Sequence, residues 1–550
     1  MNDHDKRQHL KGLAVHNGLL VASLPTMDKL LFVDAKARKE LGTASLNDPR
    51  GVAFDRQGRL LVATSNQVLR YSKASVLLPK PEVLIASGLE DAQQIAFDAQ
   101  GNILVSDHGN SHQIKVFSAE GKLVRALGRA GRPDVGPYDP KKMHFPMGVT
   151  VAGDGTMWVA EDDKTPRRIS VWKTSGEFVR AFYGPTQYGG GGFLDSEDKS
   201  RFFYADEGGT ELKIDWQRGT AEPVAVYFRH DRDPLGLVTH FNPACPPSMP
   251  IHSNGRVYLT DAHNNNPTAG WDAASIWILD KGVARPVAAL GEPKLWNVFF
   301  KVANSNAFLA RLPETARDSL NNTHVTFAWS DLNDDGKPQP EEVTSVDTAY
   351  DSINVMNDLS VATQKGLHLK PQRFTKGGAP IYELKNATKL AAQTQNSASS
   401  GCGQVLVGTN GWSVFTTAPK PYSAYSIGGV RSGQAVWSYP NMWPGLHASH
   451  HSPVPEFPGE LIGTTRLLGS PITTSAGEVF AVNGNKGTIY LFTTDGLFVS
   501  TLFHDSRQAS FDFPEHKRGM SVNKASLHEE FFWPTITQTR DGEVWLQVHN

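Results

Sequence analysis

The stretch Ala92–Gly128, AQQIAFDAQGNILVSDHGNSHQIKVFSAEGKLVRALG, decides how the chain is to be read. It runs through an apolar first strand, a Gln100-Gly101 turn, a second strand ILVSD, a polar loop, a third strand IKVFS, a Glu120-Gly121 turn and a fourth strand LVRALG. Short apolar runs bounded by turns of this kind predict a four-stranded antiparallel meander. From Phe145 the same order returns as FPMGVTVAGDGTMWVAEDDKTPRRISVWKTSGEFVRAFYG, with Asp154-Gly155 and Ser175-Gly176 at the corresponding turns. Looser copies begin at Gly12 and Gly51, and RFFYADEGGTELKIDW and GRVYLTDAHNNNPTAGWDAASIWILD repeat the second and third strands. The second strands reach Val21, Val62, Val105, Val159, Tyr204 and Leu259, about 41 to 55 residues apart. That spacing is the length of one propeller blade.

The segment VSDHGNSHQIKVFSAEGKLVRALG resembles an NHL repeat, the blade unit of a family of mostly six-bladed β-propellers. The resemblance is strongest over residues 92–184, weaker over 12–90, and elsewhere extends only to the strand pattern. With WSDLNDDGKPQPEE and the late blade GNKGTIYLFTTDGLFVSTLF, the whole is similar to large bacterial NHL-type propeller proteins. The resemblance implies a fold and assigns no catalytic residue. Six units fit before residue 291, and five more follow, the last cut to the two strands of FFWPTITQTRDGEVWLQVHN. Eleven exceed the four to eight blades of one ring. The expectation is therefore an all-β protein of four-stranded antiparallel blades in two tandem propeller-like units, 1–291 and 292–550. A single ring with heavily inserted blades is the rival.

Composition narrows the function. The 54 Lys+Arg against 56 Asp+Glu leave a formal charge of -2, so neither nucleic acid nor an anionic membrane is expected as the main partner. No apolar run reaches the length of a membrane span, and Met1–Lys11 is polar where a signal peptide needs an apolar stretch. A soluble chain is expected, its compartment open: it could equally be a mature exported protein or an excised domain whose signal is absent from this chain. Two cysteines, Cys245 and Cys402, exclude a disulfide framework and a cysteine-based zinc site, and leave one bridge or two free thiols.

Three groups of residues carry candidate chemistry. Asp331, Asn333, Asp335, Lys337, Gln339 and Glu342 fit D-x-N-x-D-G-x5-E, a calcium loop in which side-chain oxygens and the Lys337 carbonyl surround the ion and Gly336 supplies the bend. Pro338 and Pro340 exclude a flanking helix, so a structural calcium ion stapling a hairpin between FAWS and VTSV is expected. The second group follows from register: Asp107, Glu161, Asp206 and Asp261, with Asn483 in the late blade, end their second strands, and His108 and His263 lie just beyond. Such positions either ring one opening or organise their own turns. The third is Trp443, His447, His450 and His451, where aromatics can stack on sugar faces and imidazoles can hold a metal.

The leading expectation is a calcium-stabilised propeller binding a small polar ligand, carbohydrate above others. The alternatives are a metal-dependent lactonase, lyase or glycan-degrading enzyme using the propeller channel, and a platform for protein partners. No P-loop, G-x-G-x-x-G after a strand, G-x-S-x-G or H-E-x-x-H occurs to support nucleotide, serine-hydrolase or zincin chemistry.

Overall fold

A computed structural model describes residues 10–184, 191–205, 208–237, 246–264, 266, 270–317, 324–391, 394–397, 403–422, 426–440, 456–461, 466–484, 487–504, 517, 519–521 and 534–548. The chain is all-β, 48% strand and 6% helix, and its recurring unit is the four-stranded antiparallel sheet. The deciding stretch folds as read: Ala92–Phe97, Ile103–Asp107, Gln113–Phe117 and Leu123–Leu127 pair in sequence order. Its turns need glycine. Gly121 has a φ of +79°, and a Cβ there would come within 1.8 Å of the Leu84 carbonyl oxygen.

The chain separates into two compact units, 1–134 with 138–185, and 135–137 with 186–550. The first contains four sheets of four strands, spanning 12–45, 52–85, 92–127 and 146–183. Apolar positions alternate between faces and fill the spaces between successive sheets. Leu61, Val105 and Phe117 are buried in one such layer, and Met143, Val159 and Trp172 in the next.

Among the described residues six sheets of the second unit form a ring, and two short strand pairs, Arg373–Phe374 with Pro380–Ile381 and Thr394–Ser397 with Thr417–Pro419, stand apart from this count. The first strands of the six are Gly192–Leu194, Met249–Ser253, Ile353–Val355, Val405–Val407, Ile472–Thr474 and Thr535–Gln538. Each sheet touches the next: Gly192–Leu194 meets Met249–Ser253, Ala273–Asp280 meets Ile353–Val355, and Val361–Thr363 meets Val405–Val407. The fourth and fifth sheets are joined by Leu467 N–H donating to Gln404 Oε1 (2.7 Å) and Thr409 N–H to Glu478 Oε1 (2.9 Å). Among the described residues the last sheet has two strands, Thr535–Gln538 and Val544–Gln547. Its first strand packs against both Ile472–Thr474 and Gly192–Leu194, which closes the ring.

The sheet opening at Met249–Ser253 has six strands, because Thr326–Ser330 pairs with Val283–Gly291 and carries Val343–Val346 beside it. The expected boundary at residue 291 thus falls between two hydrogen-bonded strands of one sheet. Trp277, Trp296, Phe327 and Trp329 pack against this sheet in the largest aromatic core of the unit. Each indole N–H finds an acceptor: Ser275 Oγ, the Leu235 carbonyl and Glu342 Oε2 for Trp277, Trp296 and Trp329, all within 2.8 Å. Burying tryptophan is favourable only with that N–H satisfied.

Candidate functional site

The residues ending second strands act within their own sheets. Asp107 Oδ1 accepts the Asp91 N–H (2.7 Å), Glu161 Oε2 the His144 N–H (2.9 Å) and Asn483 Oδ1 the Arg466 N–H (2.7 Å). Each bond ties the end of a second strand to the segment leading into the first. A further bond reaches the third strand: Ser170 donates to Glu161 Oε1 (2.7 Å), and the Ser275 N–H to Asp261 Oδ1 (2.8 Å). Both serines in turn accept the indole N–H two residues on, from Trp172 and Trp277. Asp107 and Glu161 belong to the first unit, Asp261 and Asn483 to the second. Asp206 lies outside the described residues, as do Trp443, His447, His450, His451, Cys245 and Cys402.

Around His108 the first unit gathers groups the sequence did not single out. His108, His112 and His144 surround the ring of Phe145 at centroid distances of 5.3, 5.0 and 4.3 Å. His112 Nδ1 accepts the Phe145 N–H (3.1 Å), and His144 Nδ1 lies 2.7 Å from Asp163 Oδ2. Burial pushes His108 and His112 down to about 4, with the neighbouring imidazole of His144 adding to the shift at His112. Phe145 itself has a φ of +48°, a conformation that a bulky side chain adopts only under constraint. His108 and His112 lie in one loop and His144 in another 32 residues on, so no strand periodicity links the three.

The predicted calcium loop sits between Thr326–Ser330 and Val343–Val346 as expected, with Gly336 at a φ of +69°. Asp331 accepts the N–H of Asp335 (3.1 Å) and of Gly336 (3.0 Å), and its Oδ2 pairs with Arg285. Asn333 Oδ1 accepts the Asp335 N–H (3.1 Å), and Asp335 accepts from Lys337 N–H (2.8 Å) and Gln339 Nε2 (2.9 Å). Glu342 takes the Leu332 N–H (2.8 Å), the Trp329 indole (2.8 Å) and the Gln339 N–H (3.1 Å). The donor types fit a calcium ion, but Asp331 and Glu342 direct their oxygens at N–H groups, and a guanidinium stands beside Asp331. Gln339 Oε1 is buried with no hydrogen-bond partner. Among the described residues, Asp272, Glu292 and Asp351 are the carboxylates that bring three oxygens within 4.8 Å of one another. Lys294 pairs with Glu292, and Lys365 with Asp351 (2.7 Å), so this cluster is already countered.

Inside the ring of the second unit lie two cavities of about 530 and 410 Å³ that share Asn357, Ser470, Pro471 and Thr473 as lining residues. All six sheets contribute, through first-strand residues such as His252 and Thr473 and through Glu197, Asn357, Gly408 and Thr539 in the turns that follow first strands. His263, Asn264 and Ser470 reach the smaller cavity from segments at the opposite strand ends. Hydroxyl, amide and ionisable side chains alternate with apolar ones along the walls, and Asn264 Oδ1 and Glu478 Oε2 are buried without a hydrogen-bond partner. His252 Nε2 lies 2.7 Å from Asp195 Oδ1, and Arg201 reaches Asp195 Oδ2 at 3.2 Å. The Asp195 bond raises His252 above the ordinary histidine value. Burial opposes ionisation of Asp195, yet the His252 bond and the Glu197 N–H outweigh it and hold the carboxyl below its usual range.

No protein-family model matches the chain, and no curated protein matches it. Among solved structures it is similar to the hydrazine synthase of Kuenenia stuttgartiensis, at 14% identity over 69% of this chain and 94% of that one, with a TM-score of 0.27. It is also similar to virginiamycin B lyase from Staphylococcus aureus, at 14% identity over 50% and 83% of the two chains, TM-score 0.25. A third likeness is to a chain of a nidogen/laminin complex, at 15% identity over 46% and 86%, TM-score 0.24.

Two outcomes follow from this geometry. Removing Glu161 leaves Arg168, which donates to it at 2.9 Å, buried without its counter-charge. Glu161→Ala should cost about 3–5 kcal/mol in denaturant unfolding, the usual penalty for breaking a buried pair; a loss below about 1 kcal/mol would contradict the structural role. For His252, a folded pKa above the unfolded value of 6.5 means stabilisation that is complete below 6.5 and fades as pH rises through the folded value. Depression of Asp195 adds stabilisation above about 3.8 that is lost on acidification, so the pair contributes most between these limits. NMR titration of the His252 ring should give a midpoint above 6.5 that falls in Asp195→Asn; a wild-type midpoint at or below 6.5 would count against the pairing.

Proposed function

We propose that this is an NHL-type β-propeller protein that binds a small polar ligand inside the ring of its second unit, with calcium stabilising the loop 331–342. The observation that carries the reading is the pair of adjoining cavities walled by all six sheets and lined mainly by hydroxyl, amide and ionisable groups. Such a surface offers hydrogen bonds in many directions beside apolar patches from Ile251, Met356, Leu406 and Ile536, a mixture that suits the hydroxyls and apolar faces of a sugar. The buried, unpartnered oxygens of Asn264 and Glu478 add a demand for hydrogen-bond donors that ligand hydroxyls can meet. Carbohydrate is the ligand class favoured by this chemistry.

The calcium part is supported by the order of the donors, the positive φ of Gly336 and the unpartnered Gln339 Oε1. Burial raises Asp331 and Glu342 above the ordinary carboxylate range, so a further cation would favour their charged forms. Asp331, Asn333, Asp335, Gln339, Glu342 and the Lys337 carbonyl would hold the ion, with Arg285 turning away from Asp331.

Calorimetric titration with a panel of neutral sugars and sugar acids tests the cavity. At least one should bind the wild type, and Thr473→Trp, which fills space common to both cavities, should weaken it by about tenfold or more at unchanged Tm. Equal affinity in both proteins would move the site elsewhere, and no binding by any sugar would remove the carbohydrate reading. For the loop, elemental analysis after calcium loading should find one ion per chain, and chelation should lower Tm in the wild type but not in Asp335→Ala. An ion-free protein with an unchanged Tm would dispose of the calcium reading.

A further inference from the structure

Ser470 stands on the wall common to both cavities, and its Oγ lies 3.1 Å from Nε2 of His263. The two partners differ in access. Ser470 is half-buried, whereas His263 is only 1% exposed. A sheltered imidazole behind an accessible hydroxyl, within hydrogen-bond reach, is the arrangement a nucleophilic serine needs.

Both groups are held by backbone bonds on either side. The His263 N–H donates to Asn266 Oδ1 (2.9 Å), and the Asn266 N–H returns to the His263 carbonyl (2.7 Å). Arg466 donates to the Asn266 carbonyl (2.5 Å), and Asn266 Nδ2 reaches Ser248 Oγ (3.3 Å). On the serine side, the Leu467 N–H is fixed on Gln404 Oε1, and the Leu468 carbonyl accepts the Ile536 N–H (2.9 Å). Asn357, from a third sheet, also lines both cavities and offers an amide to charge developing on a substrate oxygen.

We propose that Ser470 is the nucleophile, and His263 its base, of an acyl-transfer site that hydrolyses small polar carboxylic esters or lactones. The proposal rests on the same cavity as the ligand-binding reading and adds chemistry to it. Ser470 Oγ bonds to the substrate carbonyl carbon while its proton passes to His263 Nε2, and the carbonyl π electrons move onto oxygen. Their return expels the alkoxide, which takes the proton from His263 and leaves acyl-Ser470. Water then attacks the acyl carbon, giving its proton to His263; the serine oxygen leaves and recovers that proton. The balance is ester plus water to acid plus alcohol, or lactone plus water to one hydroxy acid.

A fluorophosphonate probe, which phosphonylates activated serines, tests this on the full chain. The folded wild type should be labelled at Ser470, located by peptide mass spectrometry, and heat-denatured protein should not. Ser470→Ala, its fold checked by circular dichroism, should lose the label and all hydrolysis of p-nitrophenyl acetate and a γ-lactone above buffer. His263→Gln should slow labelling on the order of a hundredfold or more, the scale of a lost general base. Should that variant not fold, the comparison of folded with denatured wild type still decides. An unlabelled Ser470 in the folded wild type, labelling at another serine only, or full labelling in a folded His263→Gln would each overturn the proposal. None of these outcomes bears on sugar binding by the wild type, so the two readings fail separately.

Discussion

The second unit is a ring only because a two-stranded hairpin from the far end of the chain fits between its first and fifth sheets. Thr535 donates to the Gly192 carbonyl (2.9 Å), the Gly192 N–H to Gln547 Oε1 (3.0 Å), and the Arg540 N–H to the Ser196 carbonyl (2.8 Å). On the other side Gln538 exchanges two bonds with the Thr473 backbone, at 2.9 and 3.0 Å. These contacts satisfy two strand edges that would otherwise stand open, the recurrent difficulty of any sheet that does not close on itself. Lys199, paired with Asp541 and Glu543 at 2.9 and 2.7 Å, reinforces the join from the exposed side, where such pairs contribute little. Closure also places Thr537, Gln538 and Arg540 on the larger cavity.

Strands and turns were legible because they are local. The four strands of 92–127 and of 146–183, the glycines that turn them, and the placement of the acidic loop between two strands follow from alternation and turn chemistry. The grouping of strands into units was not. Residues 292–325 intervene between Val283–Gly291 and Thr326–Ser330, yet these two pair in one sheet, with Leu290 opposite Ala328. Pairing across an insertion of that length is a tertiary event, and the apolar pattern of Thr326–Ser330 reads equally as the start of a new blade. The two strands of the last unit were legible, but the first sheet against which it closes the ring lies some 340 residues earlier in the chain.

The side chains at second-strand ends show why register alone could not separate a ligand from a brace. Glu161 and Asp261 occupy equivalent positions and do equivalent work, each joined to a serine on the third strand that holds the indole of a buried tryptophan. The pattern S-x-W was present in both segments of sequence, and its meaning depended on a carboxylate reaching across a loop. A buried carboxylate with hydrogen bonds on both oxygens organises the backbone strongly, because an unmade bond in that environment costs more than a made one contributes. This brace recurs in each unit, at Glu161 and at Asp261.

The same topology explains how Asn264 and Glu478 come to lie inside the ring with unfilled hydrogen-bonding capacity. Strand faces between sheets can be covered by Trp, Phe and Val, since each sheet meets a neighbour there. The first strands have a neighbour only on one edge and face the axis, where six backbones converge and no flat partner exists. Polar groups tolerate that position if water or a ligand completes their bonds. Ser470 and His263, 207 residues apart, meet there because the segment entering one first strand and the segment leaving another sheet's second strand reach one space. The pair lies outside the G-x-S-x-G context in which serine nucleophiles are usually recognised, for its serine follows Gly469 and precedes Pro471 at the start of a strand instead of occupying a strand-to-helix elbow. Chemistry at such a point is set by convergence about an axis, and the sequence around either residue alone could not disclose it.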